Sequence, residues 1–151
     1  MEKKPKICIL RWEEGQVLPA QLQLESLPGN STNPDSYPFE VMMLRVKGAN
    51  MDTIEANPCQ EMLDKFIAVC KDLAEQGVKA ITTSCGFCAV FQKEIAAGLN
   101  VPFFSSSLLQ AKLVYDFLKP DQIVGIITNQ ADYLGEPHFR GVGIENVPKV
   151  V

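Results

Sequence analysis

One histidine, one tryptophan and no surplus of basic charge limit what this 151-residue chain can do. A zinc site needs two ligand pairs. Cys85-Gly86-Phe87-Cys88 has no second pair, and His138 stands without a partner at ligand spacing, so no metal is expected and His138 reads as a surface residue. No stretch approaches the roughly 18 apolar residues of a membrane helix, and the amino-terminal lysines precede no apolar signal core. No membrane partner is expected. Cys8, Cys59, Cys70, Cys85 and Cys88 are odd in number and follow no export signal, so they read as cytoplasmic thiols rather than a disulfide framework. Fourteen basic against eighteen acidic side chains give a net charge of -4. The only basic cluster is Lys3, Lys4 and Lys6 at a terminus that would fray, which argues against nucleic acid as a partner. Phosphate loops are also missing. Gly141-Val142-Gly143-Ile144-Glu145-Asn146 lacks the third glycine of a dinucleotide fingerprint and follows no first strand, so it does not read as a dinucleotide site.

What is present alternates. Apolar runs at 6–10, 39–46, 78–83, 101–104 and 123–128 are of strand length, and near-continuous apolarity suits strands covered on both faces. Between them, Asn57-Pro58-Cys59-Gln60 offers a helix N-cap and a proline at the first helical position. Met62, Leu63, Phe66, Ile67, Cys70, Leu73 and Ala74 then keep helical spacing until Gly77, which places Cys70 in the core. Further helices are predicted from about 87 to 97 and from Ser107 to before Pro120. This alternation predicts a parallel α/β sheet. The stretch 12–38 holds Pro19, Pro28, Gly29, Asn30, Pro34 and Pro38 and is a long connection, functional, partly structured or disordered. After Asn129 a short helix and turn are expected, with 147–151 opening another strand.

Ligands of open parallel sheets bind at the carboxyl ends of the strands. Those ends carry Arg11 and Trp12, Arg45 and Lys47, Thr83-Ser84-Cys85-Gly86, Ser105-Ser106-Ser107, and Thr128-Asn129, a set suited to a small carboxylate. Hydroxyls are also what any strand-to-helix turn carries. Cys85 stands out because it follows a strand and precedes a helix, where the helix dipole and free amides would favour a thiolate. Its C-x-x-C spacing leaves a thiol redox module open, although the Gly-Phe insert is unlike common redox motifs. A catalytically inert domain that binds a small acid or serves assembly is the third possibility.

The sequence Ile81-Thr82-Thr83-Ser84-Cys85-Gly86-Phe87, then Phe91-Gln92, then Val101-Pro102-Phe103-Phe104-Ser105-Ser106-Ser107-Leu108-Leu109-Gln110 resembles the first half of the aspartate/glutamate racemase superfamily. Leu27-Pro28-Gly29-Asn30, Asn33-Pro34-Asp35 and Val124-Gly125-Ile126-Ile127-Thr128 follow the same pattern. The likeness covers roughly 5–147, is specific at the cysteine turn, and is nearest to members with a Thr-Ser-Cys-Gly-Phe turn. It implies a cofactor-independent isomerase of two α/β lobes. Residues 1–119 would be the first, a flavodoxin-like parallel sheet with flanking helices and the long loop 12–38, and 120–151 would open the second. Cys85 would be the acid/base. Thr83, Ser84, Gly86, Ser105, Ser106, Ser107, Thr128 and Asn129 would bind a small amino or dicarboxylic acid.

A racemase needs a second cysteine, expected beyond residue 151. Cys88 shares Cys85's turn and would approach the same substrate face, and Cys8 should point into the core. The isolated chain is therefore expected to racemise nothing efficiently, although decarboxylases and cis-trans isomerases of the same superfamily use one cysteine. Apolar surface uncovered by a missing lobe would favour a homodimer.

Overall fold

The computed structural model describes residues 6–13 and 15–147. Its centre is β1 (Ile7–Arg11), in which Cys8, Ile9 and Leu10 are all buried. Consecutive strand residues point to opposite faces, so both faces are covered, as the unbroken apolarity predicts. The stretch 12–38 is partly structured. It contains α1 (Pro19–Glu25), which buries none of its residues, and a 3-10 turn at Pro34–Ser36 capped by the Asn33 side chain. β2 (Val41–Arg45) follows and lies parallel to β1, with Ile7 opposite Val41 and Arg11 opposite Arg45.

A wide π turn, Asp52–Ala56, leads into α2 (Gln60–Glu75). The turn is closed by the Asn57 N–H donating to the Asp52 carbonyl at 2.7 Å. Asn57 is thereby committed to the turn, so Cys59, not Asn57, takes the N-cap position of α2. Met62, Leu63, Phe66, Cys70 and Leu73 are buried along one stripe, as their spacing predicts. Gly77 (φ 97°) provides the left-handed residue that ends the helix.

β3 (Ala80–Thr83) pairs with the other side of β1. A 3-10 turn, Gly86–Phe91, then runs into α3 (Gln92–Ala97). β4 (Phe103–Phe104) pairs with β3, and a further 3-10 turn at Ser107–Gln110 enters α4 (Ala111–Asp116). The sheet order is β2-β1-β3-β4, all parallel, an α/β fold of the flavodoxin-like kind. The chain leaves β1 toward β2 on one side and returns to β3 on the other. The loops after β1 and β3 therefore diverge and open a crevice at the strands' carboxyl ends.

The expected fifth strand at 123–128 does not form: only Val124 makes an isolated bridge. A two-residue β4 offers too short an edge to hold another ladder, and Ile127 is fully exposed. The tail supplies the expected helix, α5 (Glu136–Val142), which stops at Gly143 (φ 75°). The strand expected at 147–151 falls almost entirely outside the described residues.

One apolar cluster fills the space between the sheet, α2 and α3, and holds Leu10, Phe66, Leu73, Ile81 and Ile95. Each such side chain contributes about 1.5–3 kcal/mol on burial. A smaller cluster of Ala89, Leu108, Ala111, Val124 and Ile144 ties α4 and α5 to the turn after β3. Gly141 lies so close there that a Cβ would fall 2.1 Å from the Ala89 carbonyl oxygen. Among the described residues, no helix is long and apolar enough to cross a membrane.

Candidate active site

A cleft of about 440 Å³ opens at the β1/β3 switch point. Arg11 and Trp12 enter it from the end of β1, and Ser84, Cys85, Gly86 and Phe87 from the end of β3. Ser106, Ser107, Thr128 and Asn129 also line it, as do Gln21, Leu24 and Glu25 of α1. Six of the substrate-binding positions named from sequence thus meet Cys85 on one cleft: Ser84, Gly86, Ser106, Ser107, Thr128 and Asn129.

Thr83 and Ser105 do not line it. The Thr83 hydroxyl lies 2.9 Å from the Cys85 carbonyl and 2.7 Å from that of Ser105, so it staples the cysteine turn to the end of β4. Ser105 is fully buried, and its backbone N–H donates to Gln92 Oε1 at 2.8 Å. Gln92 in turn donates to the Phe103 carbonyl at 2.9 Å, so one buried amide sets the course of the chain into the Ser105–Ser107 turn. Ser106 caps that turn, its Oγ accepting from the Leu108 N–H at 3.2 Å.

Cys85 sits in extended backbone immediately before the Gly86–Phe91 turn. Its Sγ donates to Glu55 Oε1 at 3.6 Å, and Glu55, on the π turn, is buried. The second carboxyl oxygen of Glu55 has no hydrogen-bond partner among the described residues. Burial pushes the Glu55 pKa up, and the Cys85 thiol and the Asn129 side chain pull it part of the way back. Sequence reading missed Glu55. It shares a short stretch without period with Asp52, and only the fold brings it to a cysteine thirty residues away.

The expectation of a dipole-stabilised thiolate is corrected. The Cys85 pKa is pushed up, most strongly by the Cys88 side chain and then by burial, with the Glu55 charge adding to both. The Phe87 backbone N–H acts in the opposite direction and is outweighed. The reason is structural: a 3-10 turn followed by the six-residue α3 offers a weak dipole, and the thiol faces another thiol and a carboxyl group. Cys85 therefore rests as a thiol. Cys88 is buried in the core, as are Cys8 and Cys70, and all five cysteines are free.

His138 is likewise not at the surface. It is buried, edge-on to Phe87 with ring centroids 5.4 Å apart, and its Nδ1 accepts from the Gly135 N–H at 3.3 Å. Its Nε2 has no partner among the described residues, and burial lowers its pKa. No group of three or more His, Cys, Asp or Glu placed to hold a metal ion occurs among the described residues.

No family model matches the chain. Among curated proteins it is 29% identical over 114 residues to a dimethylsulfoniopropionate lyase of Durusdinium sp. clade D, covering 74% of this chain and 38% of that protein. It is 28% identical over 136 residues to dimethylsulfoniopropionate lyases 6 and 3 of Emiliania huxleyi (strain CCMP1516), covering 80% of this chain and 36% of each relative. The chain thus spans little more than a third of the curated relatives it matches. These relatives overturn the isomerase and racemase activity expected from sequence, because they are named for a lyase reaction.

Proposed function

We propose that this chain is the cysteine-bearing lobe of a lyase that eliminates a leaving group from the carbon β to a small carboxylate. Dimethylsulfoniopropionate is the first substrate to test, and the observation that carries the reading is the Cys85–Glu55 pair on a cleft at the sheet's switch point. In such an elimination the C–H bond α to the carboxylate breaks and its electrons form the C=C bond. The C–S bond breaks with its electrons leaving on sulfur, giving dimethyl sulfide, acrylate and one proton. Cys85 is the base. A thiol whose pKa is held up is a strong base once ionised, and Glu55 is placed to receive its proton. A sulfonium ion in the cleft offsets the burial and like-charge effects that oppose ionising the pair, so the substrate itself helps to activate it.

The lobe is proposed to share its architecture with the aspartate/glutamate racemase superfamily without the racemase reaction. The exposed side chains of Phe104, Phe117 and Ile127 provide apolar surface for a second copy, and the five free thiols suit the cytoplasm. The test is headspace detection of dimethyl sulfide, with acrylate measured in parallel, from the protein and from Cys85→Ala and Glu55→Gln. Release above the Cys85→Ala background, falling about 10²-fold or more in Glu55→Gln, is expected. Release no greater than that background overturns the proposal.

A further inference from the structure

The cleft that holds Cys85 is also lined by groups of different chemistry. Arg11 and Trp12, which leave β1, line it together with Leu24 and Glu25 of α1. The Arg11 and Trp12 side chains are both hydrogen-bond donors that carry no acceptor. Arg11 Nη2 and Trp12 Nε1 are covered from solvent, and neither makes an aligned hydrogen bond among the described residues. Arg11 is instead ion-paired with Glu25, and Arg45 Nη2 approaches the same Glu25 oxygen at 3.6 Å. Arg45 is itself anchored, because its Nη1 donates to the Trp12 carbonyl at 3.2 Å. Two guanidinium groups thus share one carboxylate oxygen, with a covered indole N–H on the same wall. That carboxylate comes from a helix that buries none of its residues and leaves Leu22 and Leu24 about half exposed.

We propose that Arg11, assisted by Trp12, receives the carboxylate of the small acid bound in this cleft, and that Glu25 is an internal stand-in which the ligand displaces. The inference rests on reading the cleft as a small-carboxylate site and adds where the carboxylate goes and what holds its place beforehand. A guanidinium matches a carboxylate in charge and in its paired oxygens, and Trp12 adds a third donor. The exchange conserves charge, since one carboxylate leaves the arginines as another arrives. It leaves the core undisturbed, because α1 contributes no side chain to it. α1 is a latch held shut by a mimic of the ligand.

Propionate, and propionamide as its neutral counterpart, titrated into the full chain carrying Cys85→Ala and followed by NMR shifts, provide the test. Propionate is expected to bind and propionamide not to. Glu25→Gln in that background should tighten propionate about tenfold, the gain from removing a competitor that fills the site roughly nine-tenths of the time. Arg11→Gln should abolish propionate binding and Arg11→Lys should retain part of it. Propionate affinity unchanged by Glu25→Gln overturns the inference, as does binding that survives Arg11→Gln, or no binding to the Glu25→Gln protein. No Cys85 thiol is present in this assay, so failure of the elimination chemistry would not move its readout, and the two proposals fail separately.

Discussion

Arg11 and Arg45 stand opposite one another in register on β1 and β2, and the single carboxylate of Glu25 serves both. Like charges directly across a strand pair repel, by up to about 1 kcal/mol. Glu25→Gln should therefore lower stability by about that much in urea unfolding at low ionic strength. The loss should shrink as salt screens the arginines. A loss that does not respond to salt would mean that Glu25 acts through packing instead.

Cys85 should resist alkylation at neutral pH and react only as the medium becomes alkaline, later than a simple thiol, because Cys88 and burial hold its proton on. Peptide-mapped iodoacetamide labelling across pH would show it. Cys88→Ala should bring the Cys85 titration down furthest, and Glu55→Gln should bring it down less, following the order of the two influences. The reverse order would place the dominant charge on the carboxylate.

His138 should make the fold acid-sensitive. Burial lowers its pKa, so the folded state favours the neutral ring. Its contribution to stability is complete above the unfolded value of about 6.5 and is lost as pH falls toward the lower folded value. Glu55, whose raised pKa favours the protonated form in the folded state, acts in the opposite sense, being most stabilising at low pH. The comparison must therefore be with a variant. Between about pH 7.5 and 5.5, the wild-type urea midpoint should fall further than that of His138→Gln. Parallel curves would show that protonation of His138 is accommodated.

Gly141→Ala should cost about 2–3 kcal/mol, since the new methyl meets the Ala89 carbonyl and a backbone atom cannot step aside. Because Ala89 lies on the turn that carries Cys88, the buried Cys88 thiol should become open to alkylation in the same variant. Gly125→Ala, with nothing within 4 Å of the added carbon, is the control and should change stability by under about 0.5 kcal/mol.

These residues also show which features were legible in sequence. The run around Cys8, Ile9 and Leu10, the stripe from Met62 to Leu73 and the stop at Gly77 are local signals, and each appears where its spacing put it. The turn at Cys85 was legible for the same reason, since a strand ending in Thr83 must give way at Gly86. Glu55, Glu25 and His138 were not. Their environments are made by partners distant in the chain: Cys85 for Glu55, Arg11 for Glu25 and Phe87 for His138. The fifth strand failed for a similar reason, because an apolar run becomes a strand only if a neighbouring edge is long enough to receive it, and β4 is not.

The π turn at Asp52–Ala56 has an evolutionary consequence. Its Asn57-to-Asp52 closure spans one residue more than an α-helical turn, and each residue in a helix advances the direction of its side chain by about 100°. Deleting one residue there would swing Glu55 away from Cys85 without touching either of them. Length, rather than composition, is what selection must guard in this segment. Homologues that keep the carboxyl–thiol pair should show an ungapped block at 52–57 even where Ala56 has drifted, and a gap there should mark lineages that have given up the chemistry.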